Sequence, residues 1–153
     1  MIATQLDDAA RRRVEVRVRQ LRPDSERQWG RMTPHQAICH LNDSFKLALN
    51  ERPVAAVAWS LKPVVRFIAL QLPLPWAKGR IRTVPEAEQG IGGTAPVDFE
   101  QDRGELLALI DKFCSAPDEQ LCPTHPIFGA MSARHWRRWA YLHMDHHLRQ
   151  FGV

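Results

Sequence analysis

The sequence predicts an all-α protein, an antiparallel helical bundle with one additional short or kinked helix and one long loop. Three observations lead there. Apolar residues recur at three- and four-residue spacing in several segments. Ser, Thr or Asp stands at the expected start of most of them. No stretch alternates apolar and polar residues as a half-buried strand would. A length of 153 residues suits one domain, 1–153, built on one core.

The first helix is expected from Asp7 or Asp8 to about Leu21, with Val14, Val18 and Leu21 on one face. Arg22-Pro23-Asp24-Ser25 ends it. Thr33-Pro34-His35-Gln36 then combines an N-cap Thr, Pro at the first helical position and Gln three residues after the cap. That is a capping box, and it opens a second helix running to about Asn50. Ala55 to about Leu72 reads as a third helix that Pro63 kinks or divides. The long loop covers about Gly79 to Pro96. Its "GIGGT" has neither the preceding strand nor the Gly-Lys-Ser/Thr of a phosphate cradle, so it reads as a flexible loop. Asp98 caps a fourth helix, Phe99 to about Cys114, with Leu106, Leu107, Ile110 and Phe113 as its apolar side. After a second loop, Thr124 to Gly129, Ser132 caps the last helix, Ala133 to Phe151, and Gly152 ends it.

Bulk properties exclude several classes. The net charge of +4 is modest. No nucleic-acid module or aromatic platform accompanies Arg11-Arg12-Arg13, which reads as a solvated helix face. The most apolar stretch, Val54 to Trp76, is interrupted by Lys62, Arg66 and prolines, so no membrane span is expected. Three cysteines without a CxxC fit a reducing cytoplasm, and the N-terminus has no signal-peptide pattern.

The chemistry is concentrated in histidines. His143 and His147 are four apart, hence about 40° apart on one helix and one turn above each other. They lie on the edge of the face that carries Trp136, Trp139 and Ala140. His146 is turned outward by roughly another 60° and is expected to be solvated. On the second helix, Ala37, Ile38, Leu41 and Phe45 form the buried half. Cys39, Asn42 and Asp43 fall on the polar half, with His40 at the border. If the two helices pack together, three neutral imidazoles converge on one cation. Three protein ligands leave a position open for water or substrate, as in catalytic zinc sites.

The blocks MTPHQAICHLNDS and HMDHHLRQFG resemble those of the DinB-like superfamily, with one His on the second helix and H-x-x-x-H on a later one. The resemblance implies an antiparallel four-helix bundle, often dimeric, with a divalent metal at one end held by His40, His143 and His147. Zinc or nickel is the first expectation, iron or manganese the next. Characterised members include thiol S-transferases and a thiol-dependent isomerase. A small-molecule substrate, in some cases a low-molecular-weight thiol, is therefore implied, without nucleic acid or membrane. Leu148-Arg149-Gln150 stands where members usually carry RGQ.

Asp43, three residues after His40, and Gln150, on the His face, are the catalytic candidates. Asp43 is expected to be solvated unless it orients a ligand. His125 either reaches the site or fixes its loop by a hydrogen bond. Two functions remain open. One is a metal-dependent enzyme activating water or a thiol for hydrolysis or S-transfer. The other is a non-catalytic module binding a small molecule or protein, with structural histidines.

Overall fold

A computed structural model describes residues 5–55, 58, 60–72, 76, 78 and 84–153. Five α-helices dominate: α1 (Asp8–Gln20), α2 (Pro34–Ala48), α3 (Lys62–Gln71), α4 (Phe99–Ser115) and α5 (Ala133–Arg149). The fold is all-α apart from one two-stranded piece, β1 (Thr124–His125) and β2 (Gly129–Ala130), with His125 opposite Gly129. Strands of two residues are too short to leave an alternating pattern, so the expectation of none is corrected here. Short 3-10 turns occupy Pro85–Ala87 and Asp118–Gln120.

The helix starts follow from local hydrogen bonding. Asp7 accepts from the amide of Ala10. Thr33 and Gln36 close the expected capping box. Asp98 accepts from the amide of Gln101. Ser132 accepts from the His135 amide, and His135 Nδ1 accepts from the Ser132 amide, so a histidine completes the box on α5. Each bond satisfies an N–H that the helix leaves unpaired, an effect of about 1 kcal/mol per cap.

The third helix is shorter than expected: α3 begins at Lys62, with Pro63 in its first turn, and the described residues Ala55, Ala58, Ser60 and Leu61 before it are not helical. Part of the expected N-terminal half, 56, 57 and 59, lies outside the described residues, as do positions 79–83 of the long loop.

α1 packs on α4 and α5, and α2 packs on the same two helices. The core between them holds Val14 and Val18, Ile38, Leu41 and Phe45, Leu106, Ile110 and Phe113, and Trp136, Met144 and Leu148. Leu109 joins the expected apolar side of α4 as a buried residue, and Leu107 is partly buried against the core. The largest departure from the sequence reading is α2. Its supposed polar half is also covered: Cys39, Asn42 and Asp43 are all buried. α4 lies along that side, where Asn42 donates to the carbonyl of Asp102 at 3.0 Å. α2 is thus a central helix whose Asn42 Nδ2 and Asp43 carboxylate are bonded internally, while Asn42 Oδ1 has no partner among the described residues, a pattern that a two-sided helical wheel does not represent.

Candidate metal centre

α2 contributes His40 and α5 contributes His143 and His147, and the three rings meet in the interior. His143 Nε2 lies 3.1 Å from His40 Nε2 and 3.1 Å from His147 Nε2. The ring centroids are 4.7–5.0 Å apart. All three residues are at most 9% exposed.

The other ring nitrogens decide what these short separations mean. His40 Nδ1 donates to the carbonyl of Ala87 at 2.8 Å. His147 Nδ1 donates to Gln150 Oε1 at 2.6 Å. A neutral imidazole carries one proton, so both Nε2 atoms present bare lone pairs. Burial lowers the proton affinity of all three rings, and the neighbouring imidazoles push His143 and His147 down further. If His143 carries its proton on Nε2, it can donate to only one of the two facing lone pairs. If the proton is on Nδ1, three lone pairs face one another. Among the described residues His143 Nδ1 has no partner in either case. A cation shared by the three Nε2 atoms resolves the conflict, and donor separations of about 3–4 Å fit one small ion at about 2.0–2.1 Å from each nitrogen. The residues therefore fit a metal ion on the chemistry of the donor set: three neutral imidazoles, two of them oriented by hydrogen bonds on the far nitrogen.

The supports of these rings come from unexpected places. The carbonyl that fixes His40 belongs to the 3-10 turn inside the long loop. That turn is tied down by Asp43, which accepts from Arg52 Nη1, the Thr94 amide and Thr94 Oγ1 at 2.6–2.7 Å. Arg52 Nη2 in turn donates to the carbonyls of Glu86 and Gly92, both at 2.7 Å. Gly92 is required by close approach, since a Cβ there would sit 2.7 Å from the Pro85 carbonyl oxygen. The "GIGGT" glycines belong to this compact turn.

The family model described as "Protein of unknown function (DUF1569)" matches residues 3–152. The chain belongs to the DUF1569 family. No curated protein and no solved structure gives a significant match.

In this DUF1569 chain the three expected ligand residues are brought together, while the other candidates need revision. Asp43 is fully buried, not solvated, and its hydrogen bonds go to Arg52 and Thr94, not to the imidazoles. Gln150 is bonded through Oε1 to His147 Nδ1. His146 is corrected from solvated to buried: Trp29 covers it edge-on at 4.6 Å, and Trp76 lies 6.0 Å away. Both tryptophans come from connecting segments that a helical wheel cannot place. Burial lowers His146 to about 4. His125 is also buried, and its Nδ1 accepts from the amides of Ile127 and Phe128 at 3.1 and 3.4 Å, so the loop-fixing expectation describes that nitrogen.

A second cluster on the DUF1569 chain joins α2 to α4. Asp102 Oδ2 lies 2.6 Å from His35 Nε2 and 3.6 Å from Cys39 Sγ, and it accepts from the Val97 amide at 3.4 Å. The three ligand atoms lie within 4.8 Å of one another. Burial and the nearby Asp102 push the thiol up to about 12, so it stays protonated and unsuited to nucleophilic attack.

The three imidazoles open on a cavity of about 140 Å³. Trp76, Trp139 and Phe128 are among its walls, and Ser44, His125 and His146 add polar atoms. Among the described residues, no helix is long and apolar enough to cross a membrane.

Proposed function

We propose that this protein is a metal-dependent enzyme related to the DinB-like superfamily, with one divalent cation held by His40, His143 and His147. Zinc or nickel is the preferred ion. The observation that carries the reading is the convergence of three Nε2 atoms, those of His40 and His147 presented as lone pairs by bonds on the opposite nitrogens. The ring of contacts in which α1 and α2 each touch α4 and α5 supports a four-helix bundle, with α3 as the additional helix.

Such an ion supplies Lewis acidity towards water or a thiol, for hydrolysis or S-transfer of a small molecule. The chain contributes the rest. Ala87 and Gln150 hold two rings in the tautomer that presents Nε2. The aromatic walls limit water at the reacting centre and strengthen every electrostatic contact there. Gln150, held by His147, is not free to serve as acid or base.

A homodimer is part of the proposal. Leu61, Val64, Phe67 and Ile68 are each at least 50% exposed and recur at helical spacing along α3. An apolar face of this kind commonly marks an interface.

Elemental analysis of purified protein beside a His40→Ala variant tests the ion. Near-stoichiometric metal in the wild type and a marked loss in the variant are expected. Equal content in both refutes the site.

A further inference from the structure

The geometry points to His125 as a substrate-binding residue whose Nε2–H donates to an acceptor oxygen on a small, mainly apolar substrate. The inference deepens the proposed function and rests on its reading of the cavity as the substrate site.

Two backbone amides donate to Nδ1 of His125, so that nitrogen holds a lone pair. The proton of the neutral ring is then on Nε2. Among the described residues the hydrogen bonds of the ring are both at Nδ1, and His125 is one of the residues that line the cavity. Burial drives the ring to about 3, which keeps it a neutral donor at physiological pH. The ring is fixed between Phe128, stacked at 4.5 Å, and Trp136 at 5.5 Å. Trp139 spans the distance to the imidazole cluster, with centroids 5.6 Å from His125 and 4.8 Å from His143.

The cavity defines the rest of the ligand. Among the described residues, its lining includes no Lys, Arg, Asp or Glu. Lys62 is near enough to lower the proton affinity of His125 and so favours an acceptor oxygen there, whereas a formal charge on the part of the substrate against the apolar walls would lose its hydration. A space of about 140 Å³ is close to the roughly 150 Å³ that accommodates benzene in an engineered protein cavity. The preferred ligand therefore has an uncharged body about the size of one ring. It carries one atom for the imidazole cluster and one oxygen for His125. A strongly polar, sugar-bearing thiol matches this lining poorly.

Benzamide and toluene are suitable probes, since both offer a ring and only benzamide offers a carbonyl oxygen. Their affinities are measured by tryptophan fluorescence, on chelator-treated and on zinc-loaded protein. His125→Asn keeps an acceptor for the loop amides and removes Nε2–H, whereas His125→Gln can keep a donor near Nε2. Benzamide is expected to bind about three- to tenfold more weakly to His125→Asn than to the wild type, with toluene unchanged and His125→Gln intermediate. Nitrogen-15 spectra of the wild-type ring should show the Nε2–H tautomer, with that proton shifting on benzamide addition. The opposite tautomer overturns the inference, as does equal weakening of both probes or failure of benzamide to bind. Because the contact needs no ion, the expected pattern in protein that fails to take up zinc would refute the metal centre alone. A metal-replete protein lacking that pattern would refute the role of His125 alone.

Discussion

Gln150 shows how the centre depends on single contacts. Its amide holds His147, and its backbone carbonyl accepts from the Gln28 amide at 2.7 Å. Gly30 lies against it with φ +86°, and a Cβ there would be 2.3 Å from Gln150 Nε2. Gly30→Ala therefore imposes both backbone strain and displacement of Gln150. A loss of about 1–3 kcal/mol in stability is expected, read by denaturant titration. Gln150→Ala removes the partner of His147 without that strain. Loss of such a supporting hydrogen bond typically weakens metal binding about 10- to 100-fold. Competition with a chromophoric chelator measures it, and unchanged affinity would mean that Gln150 does not position His147.

At the scale of elements, the turn after α3 is as much a part of the centre as the helices. Arg52 ties Asp43 on α2 to the carbonyls of Glu86 and Gly92, and so holds the Ala87 carbonyl against His40. In Arg52→Leu the Asp43 carboxylate stays buried with its cation removed, which costs about 3–5 kcal/mol for a fully buried pair and less here because Arg52 is partly exposed. Hydrogen exchange at residues 84–94 should accelerate more than in the core of α4. Uniform acceleration would show that Arg52 supports the whole fold, not this turn.

The same elements show what could be read in advance. Thr33-Pro34-His35-Gln36 and Ser132 placed α2 and α5 because caps are local signals, decided within four residues. The spacing of His143 and His147 placed them together for the same reason. The burial of Asp43 and His146 could not be read this way. Each is covered by a segment distant in sequence, Asp43 by Arg52 and Thr94, His146 by Trp29 and Trp76. Helical periodicity carries no information about such covers. Ala87 acts through its backbone, to which its side-chain identity gives no clue.

For the whole molecule, burial of several imidazoles links stability to pH. His125 is lowered to about 3 and His146 to about 4, while His40, His143 and His147 are lowered by burial. The unfolded chain takes up protons near its ordinary histidine value of about 6.5, and the folded chain does not. More protons bound to the unfolded state means that stability rises with pH. Stability should therefore fall as pH drops below about 6.5 and continue falling towards the folded values. Chelator-treated protein at pH 7.5 and pH 5 should show a lower urea midpoint at pH 5. An equal or higher midpoint would indicate that these rings are solvated. The proposed homodimer predicts that Phe67→Lys, in the exposed face of α3, shifts the light-scattering mass from dimer to monomer without changing the circular dichroism spectrum, and a monomeric wild type would refute it.

The ion itself is the central claim. If it binds the folded state alone, removing a ligand present at a thousand times its dissociation constant costs about 4 kcal/mol of stability. For a chain of this size that lowers the melting temperature by about 8–16 °C. The most direct measurement is anomalous scattering from a crystal, collected on either side of the absorption edge of the metal found in the purified protein. A single peak about 2.0–2.1 Å from Nε2 of His40, His143 and His147 is predicted. Density for three imidazoles linked only by a proton or a water, in protein prepared with zinc and nickel available, would contradict it.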